Sequence, residues 1–100
     1  MKTLTGALIC GTIEKIDQYD WTDPATNQVK PIRSIKLLVA HGDGTVTRES
    51  ITIPAGMRTP DLRIGTQYAI PCTVSLNKKR QQVTYAVRAD IQPFPAPEID

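Results

Sequence analysis

In Tyr68-Ala69-Ile70-Pro71-Cys72-Thr73-Val74-Ser75-Leu76 larger apolar residues alternate with small or polar ones, and so they do in Gln82-Val83-Thr84-Tyr85-Ala86-Val87-Arg88-Ala89-Asp90-Ile91. Successive side chains of a strand point to opposite faces, so each run predicts a strand with one buried and one solvated face. Between them, Asn77-Lys78-Lys79-Arg80-Gln81 has the length and polarity of a hairpin loop. Pro71 has no N–H to give to a ladder, so its strand is expected to lie at an edge or to carry a bulge.

A second hairpin precedes this one. Ile35, Leu37 and Val39 share a face, His41-Gly42-Asp43-Gly44 turns the chain, and Ile51 and Ile53 return inward. Asp-Gly between two β-rich runs is a strong hairpin signal. For inward residues of both arms to match, the loop must be odd in length or a bulge must intervene. That register sets Lys36 and Arg48 together on the outer face. The first strand is expected from about Thr5 to Ile16, with Gly11 at its midpoint, where a strand serving both sides of a small barrel bends. Residues 17–31 are polar and rich in turn formers, yet hold the single tryptophan, Trp21. They read as a long loop between the first two strands or as a protruding two-stranded wing. The connection from Ala55 to Thr66 occupies the place of a crossover helix, but Pro60 and its short length leave room for one turn at most.

Composition points the same way. Ile, Val and Thr make up 29 of the 100 residues against six Leu, and branching at Cβ suits a pleated, half-buried surface. One all-β domain is predicted, a five-stranded Greek-key barrel of OB type with little or no helix. A three-plus-two β-sandwich is the alternative architecture. Hydrophobic residues at 40% and charged residues at 22% describe a globular chain, and no apolar run reaches the ~20 residues of a membrane span. No apolar stretch follows Lys2, so no signal peptide is expected. Cys10 and Cys72 then read as buried, reduced thiols of a cytoplasmic protein. Residues 1–92 form the expected domain, and 93–100 a Pro-rich, weakly acidic tail. With Glu98 and Asp100 in that tail, the body has 12 bases and 8 acids, or +4. That balance suits a polyanionic partner.

Three segments carry a family likeness: Gln28-Val29-Lys30-Pro31-Ile32-Arg33-Ser34-Ile35, Ile64-Gly65-Thr66-Gln67-Tyr68-Ala69-Ile70, and Arg88-Ala89-Asp90-Ile91-Gln92-Pro93. Together they resemble the small single-stranded-DNA-binding proteins of filamentous phages, which are OB-fold homodimers. Leu4-Thr5-Gly6 before a long first strand is more distantly similar to bacterial single-strand-binding and primosomal OB dimers. Ile32 stands where the phage family has an aromatic, and Lys78-Lys79-Arg80 replaces its aromatic in the last hairpin loop. The resemblance implies a homodimer, paired through that hairpin, that coats single-stranded DNA during phage or plasmid replication.

Sequence-independent binding of a single strand needs cations along the backbone and flat surfaces for stacking. The candidate cations are Lys15, Lys30, Arg33, Lys36, Arg48, Lys78, Lys79, Arg80 and Arg88. Tyr19 and Trp21 share parity in a polar segment and are the candidate stacking residues, although Trp21 could instead fold over the barrel end. Tyr68 and Tyr85 follow the core parity of their strands, and Phe94 packs or belongs to the tail. RNA is an alternative ligand, because contacts to a 2′-hydroxyl leave no mark in the sequence. Catalytic motifs are absent: His41 has no Cys neighbour, no P-loop lysine follows Gly42-Asp43-Gly44, and Asp17, Asp20 and Asp23 lack the other ligands of a cation loop. No enzyme, cofactor, metal, small-molecule substrate or membrane partner is expected. The alternative function is a protein-interaction module of a replication or assembly complex, which a contiguous apolar outer patch would mark.

Overall fold

The computed structural model describes residues 6–79 and 81–96. Six strands are present: β1 (Ala7–Thr22), β2 (Val29–Ala40), β3 (Val46–Ile53), β4 (Gln67–Asn77), β5 (Gln82–Val87) and the two-residue β6 (Phe94–Pro95). The sheet runs β1-β2-β3-β5-β4, and β4 pairs back onto β1, so it closes into a barrel. All pairings are antiparallel except β3 with β5. This closed, mixed five-stranded barrel is of OB type, and no helix occurs among the described residues.

β1 serves both sides of the barrel. Its first part, Ala7 to Thr12, pairs with β4, and from Thr12 onward it pairs with β2. Gly11 lies at that changeover, where an added Cβ would stand only 2.7 Å from the Leu38 carbonyl oxygen. Glycine is therefore required by close backbone approach. Two residues further on, the β1–β2 register slips between Ile13 and Lys15. Such a bulge lets Ile13 and Ile16 both face inward, opposite Leu37 and Ile35.

The core is built from Ile13, Ile35, Leu37, Ile51, Ile53, Ile70, Cys72 and Val87, the inward parities read from the two hairpins. The β2–β3 loop, residues 41–45, is odd in length, so Ile35 lies directly opposite Ile51. Gly44 takes a positive φ of 88° there, and its N–H donates to the His41 carbonyl. The Asp43 carboxylate accepts from the Thr45 hydroxyl and backbone N–H, which holds its pKa below the usual value.

Several expectations need correcting. The fifth strand ends at Val87 rather than running to Ile91: the chain turns away, and β6 continues along the same edge of β4 by pairing with Tyr68 and Ala69. Phe94 and Pro95, within the segment read as a tail, pair with Ala69 and Tyr68 of β4, while residues 97–100 lie outside the described residues. Pro71 sits between the parts of β4 paired to β6 and to β5, and its carbonyl accepts from Arg88 N–H. A residue's N and O point the same way across a strand, so the missing N–H falls in that gap and no ladder bond is lost. Cys10 was expected to be buried and is exposed, because it shares the outward parity of Leu8; Cys72 is buried, and burial raises its thiol to about 11.

Two hairpins extend past the barrel. The radius of gyration is 14.7 Å and the long axis 52 Å, against roughly 13 Å for a compact chain of this length. Val74, Leu76 and Val83 follow the inward parity of their strands, yet they are 44%, 62% and 52% exposed. The β4–β5 arms have outrun the core that their alternation anticipates.

Candidate nucleic-acid interface

The polar segment after Ile16 forms a wing. β1 continues to Thr22 and pairs with β2 through Tyr19↔Ile32, Trp21↔Lys30 and Thr22↔Val29. At its tip the Asp23 carboxylate accepts from Ala25 N–H, and Asn27 adopts a left-handed φ of 57°, which Asn tolerates better than most residues. Strand parity then fixes what each side carries. Lys15, Asp17, Tyr19 and Trp21 lie across from Lys36, Ser34, Ile32 and Lys30 on one face, and that face continues over β2 and β3 through Leu38, Arg48 and Ser50.

Tyr19 and Trp21 are 58% and 43% exposed and belong neither to the core cluster nor to the side chains packed against it. Trp21 therefore does not plug the barrel. Lys15 and Lys36 are directly opposite one another, an arrangement that like charges make unfavourable unless an anion lies between them. Lys36 Nζ donates to Ser50 Oγ at 2.9 Å. Lys15 and Lys30 each have a carboxylate at 3.8 Å, on Asp17 and Asp23 respectively. These are loose pairs whose lysines are about half exposed, and such pairs contribute little to stability and can yield to a phosphate. Arg48 differs: its Nε and Nη2 donate to both Glu14 oxygens at 2.7 and 2.8 Å, and Glu14 raises the guanidinium pKa through that hydrogen bonding.

Of the eleven residues read from the sequence as candidate cations and stacking residues, six gather on this face: Lys15, Tyr19, Trp21, Lys30, Lys36 and Arg48. Arg33 does not. It has the opposite parity, and its guanidinium is spent on the β3–β4 connection, donating to Thr59 Oγ1 at 2.7 Å, to the Pro54 carbonyl and to the Met57 carbonyl. Those bonds hold a helix-free connection whose Met57 and Leu62 pack on the core. Arg88 is likewise engaged, bidentate to Asp90 at 3.0 and 2.7 Å with its side chain 11% exposed. Lys78 and Lys79 stand on a separate hairpin, and Arg80 lies outside the described residues.

Sequence reading passed over Glu14 and the connection's own arginines, Arg58 and Arg63. Met57, Arg58, Thr59, Pro60, Asp61 and Gln92 line an open cleft of about 630 Å³. His41 Nε2 pairs with Thr47 Oγ1 at the β2–β3 tip. Asp17 and Asp20 fall on opposite faces of β1, and no cluster of three or more His, Cys, Asp or Glu able to hold a metal ion occurs among the described residues. Among the described residues no helix is long and apolar enough to cross a membrane. Comparison of the chain with protein-family models, with curated proteins and with solved structures gave no match.

Proposed function

We propose that this protein binds single-stranded DNA without regard to sequence, laying the strand across the outer face of β1, β2 and β3. The observation that carries the reading is the exposure of Tyr19 and Trp21 on the face that also bears Lys15, Lys30, Lys36 and Arg48. Bases stack on the wing aromatics while phosphates replace the loosely held carboxylates along the lysines. Preferential binding of the unpaired form shifts duplex or hairpin DNA toward single strands with no nucleotide hydrolysis. The role that follows is coating of DNA during phage or plasmid replication in a bacterial cytoplasm, in keeping with the resemblance of residues 28–93 to the filamentous-phage proteins.

The same reading makes the protein a homodimer joined through the β4–β5 hairpin. Support comes from the apolar stripe Val74, Leu76 and Val83, which lies in water in a single chain. A stripe of that kind is normally concealed, and a two-fold dimer conceals it with one self-complementary patch. It also favours the second reading, in which the hairpin docks a different replication or assembly protein. Titration with oligo-dT and with oligo-rU, alongside sedimentation of the protein by itself, tests both: saturable binding by a dimer supports the first reading, and a non-binding monomer the second.

A further inference from the structure

The β1 bulge has a consequence at the proposed site. A bulge sets two residues of one strand against a single residue of its neighbour and re-aims a side chain. Here Glu14 and Lys15 share the space opposite Lys36. Ile13 and Ile16 stay inward, so Glu14 is turned onto the outer face, where its carboxylate spans β2 to reach Arg48 on β3. This is the face's one bidentate ion pair among the described residues, more than 1 Å shorter than the lysine pairs at 3.8 Å.

We infer that Glu14 is a built-in competitor for phosphate at Arg48, and that it sets the affinity of the face for a single-stranded polyanion. The inference rests on the nucleic-acid reading above. A phosphate that displaces a loose carboxylate releases counterions and gains affinity. At Arg48 it must displace two short charge-assisted hydrogen bonds already made in the best geometry for a guanidinium. Arg48 therefore contributes little to binding while Glu14 holds it, and the three lysines do most of the work.

Glu14→Gln tests this directly. The change keeps the shape at the bulge and removes the charge, so Arg48 becomes a fourth available cation. One additional contact steepens the slope of log affinity against log salt by about 0.7 and tightens oligo-dT binding about fivefold near 0.1 M salt. The same substitution made in an Arg48→Gln background should have much less effect, because the competitor then has nothing to hold. Thermal melting of each variant confirms that it is folded. Tighter binding with a steeper slope, dependent on Arg48, supports the inference. Unchanged or weaker binding by Glu14→Gln, with the parent binding normally, overturns it and leaves the nucleic-acid reading standing: Glu14 would then be orienting Arg48 rather than competing for it. Failure of the parent to bind oligo-dT at about 50 mM salt overturns both.

Discussion

Arg33→Met separates a structural cation from a binding one. The guanidinium of Arg33 makes three hydrogen bonds into the β3–β4 connection, to Thr59 Oγ1, the Pro54 carbonyl and the Met57 carbonyl. Methionine keeps the aliphatic stem and removes every donor. Hydrogen bonds from a charged donor are worth ~1.5–3 kcal/mol each when buried, but this site is part-buried and water replaces some of what is lost. A total cost of about 2–4 kcal/mol follows. For a domain of this size that lowers the melting temperature by on the order of 15 °C. Urea denaturation followed by circular dichroism measures the cost, and oligo-dT titration of the folded protein measures any effect on binding. Affinity should be nearly unchanged, since Arg33 has the wrong strand parity for the outer face. A variant that keeps its stability and loses affinity would refute the assignment and return Arg33 to the binding set.

Trp21→Ala should weaken oligo-dT binding by ~1–3 kcal/mol, the loss of one stacked base, while the melting temperature stays close to that of the parent; a large drop in melting temperature with normal binding would contradict the wing assignment. Leu76→Asp should convert a dimer to a monomer in sedimentation equilibrium at about 50 μM, well above a ~1 μM dimer constant, and a monomeric parent at that concentration would remove the dimer. Thiol labelling should modify Cys10 quickly and Cys72 only on unfolding. Because burial raises Cys72 from 9.0 to about 11, the unfolded thiol ionises first as pH climbs through that interval. Stability should therefore fall with rising pH across it, and less so in Cys72→Ala, as read from urea midpoints on either side of pH 9.

The fold was legible where apolar parity coincided with burial. Ile35, Leu37, Ile51, Ile70, Cys72 and Val87 announce their inward faces by alternation alone, and Gly11 announces the changeover in β1. Parity reports orientation rather than depth, which is why Val74, Leu76 and Val83 read as core and lie in water. The bulge was also written in the sequence. Ile13 and Ile16 are three apart, a spacing that simple alternation forbids, and only an inserted residue lets both face inward. That spacing places Glu14 on the outer face, but not its contact with Arg48 two strands away. What the sequence could not disclose was the use of each cation. Arg33, Arg48 and Arg88 have the same charge, yet one ties down a connection, one is held by a carboxylate across the sheet, and one is folded against Asp90 after a turn. Those fates depend on contacts between residues as far apart as Glu14 and Arg48, which no local pattern encodes. The helix-free connection follows similarly: Pro60 and the short span argued against a helix, but the anchoring role of Arg33 needed the tertiary structure.

The proposed binding surface is the outer face of β1, β2 and β3, with bases stacked on the wing aromatics and phosphates on the lysines. Trp21 is the only tryptophan, so its fluorescence reports that face without ambiguity. Titration with oligo-dT at a series of salt concentrations should quench the emission saturably, with log affinity falling against log salt at a slope of about −2, for roughly three phosphates neutralised per chain. Trp21 emission that ignores oligo-dT at low salt, or an affinity indifferent to salt, would contradict it.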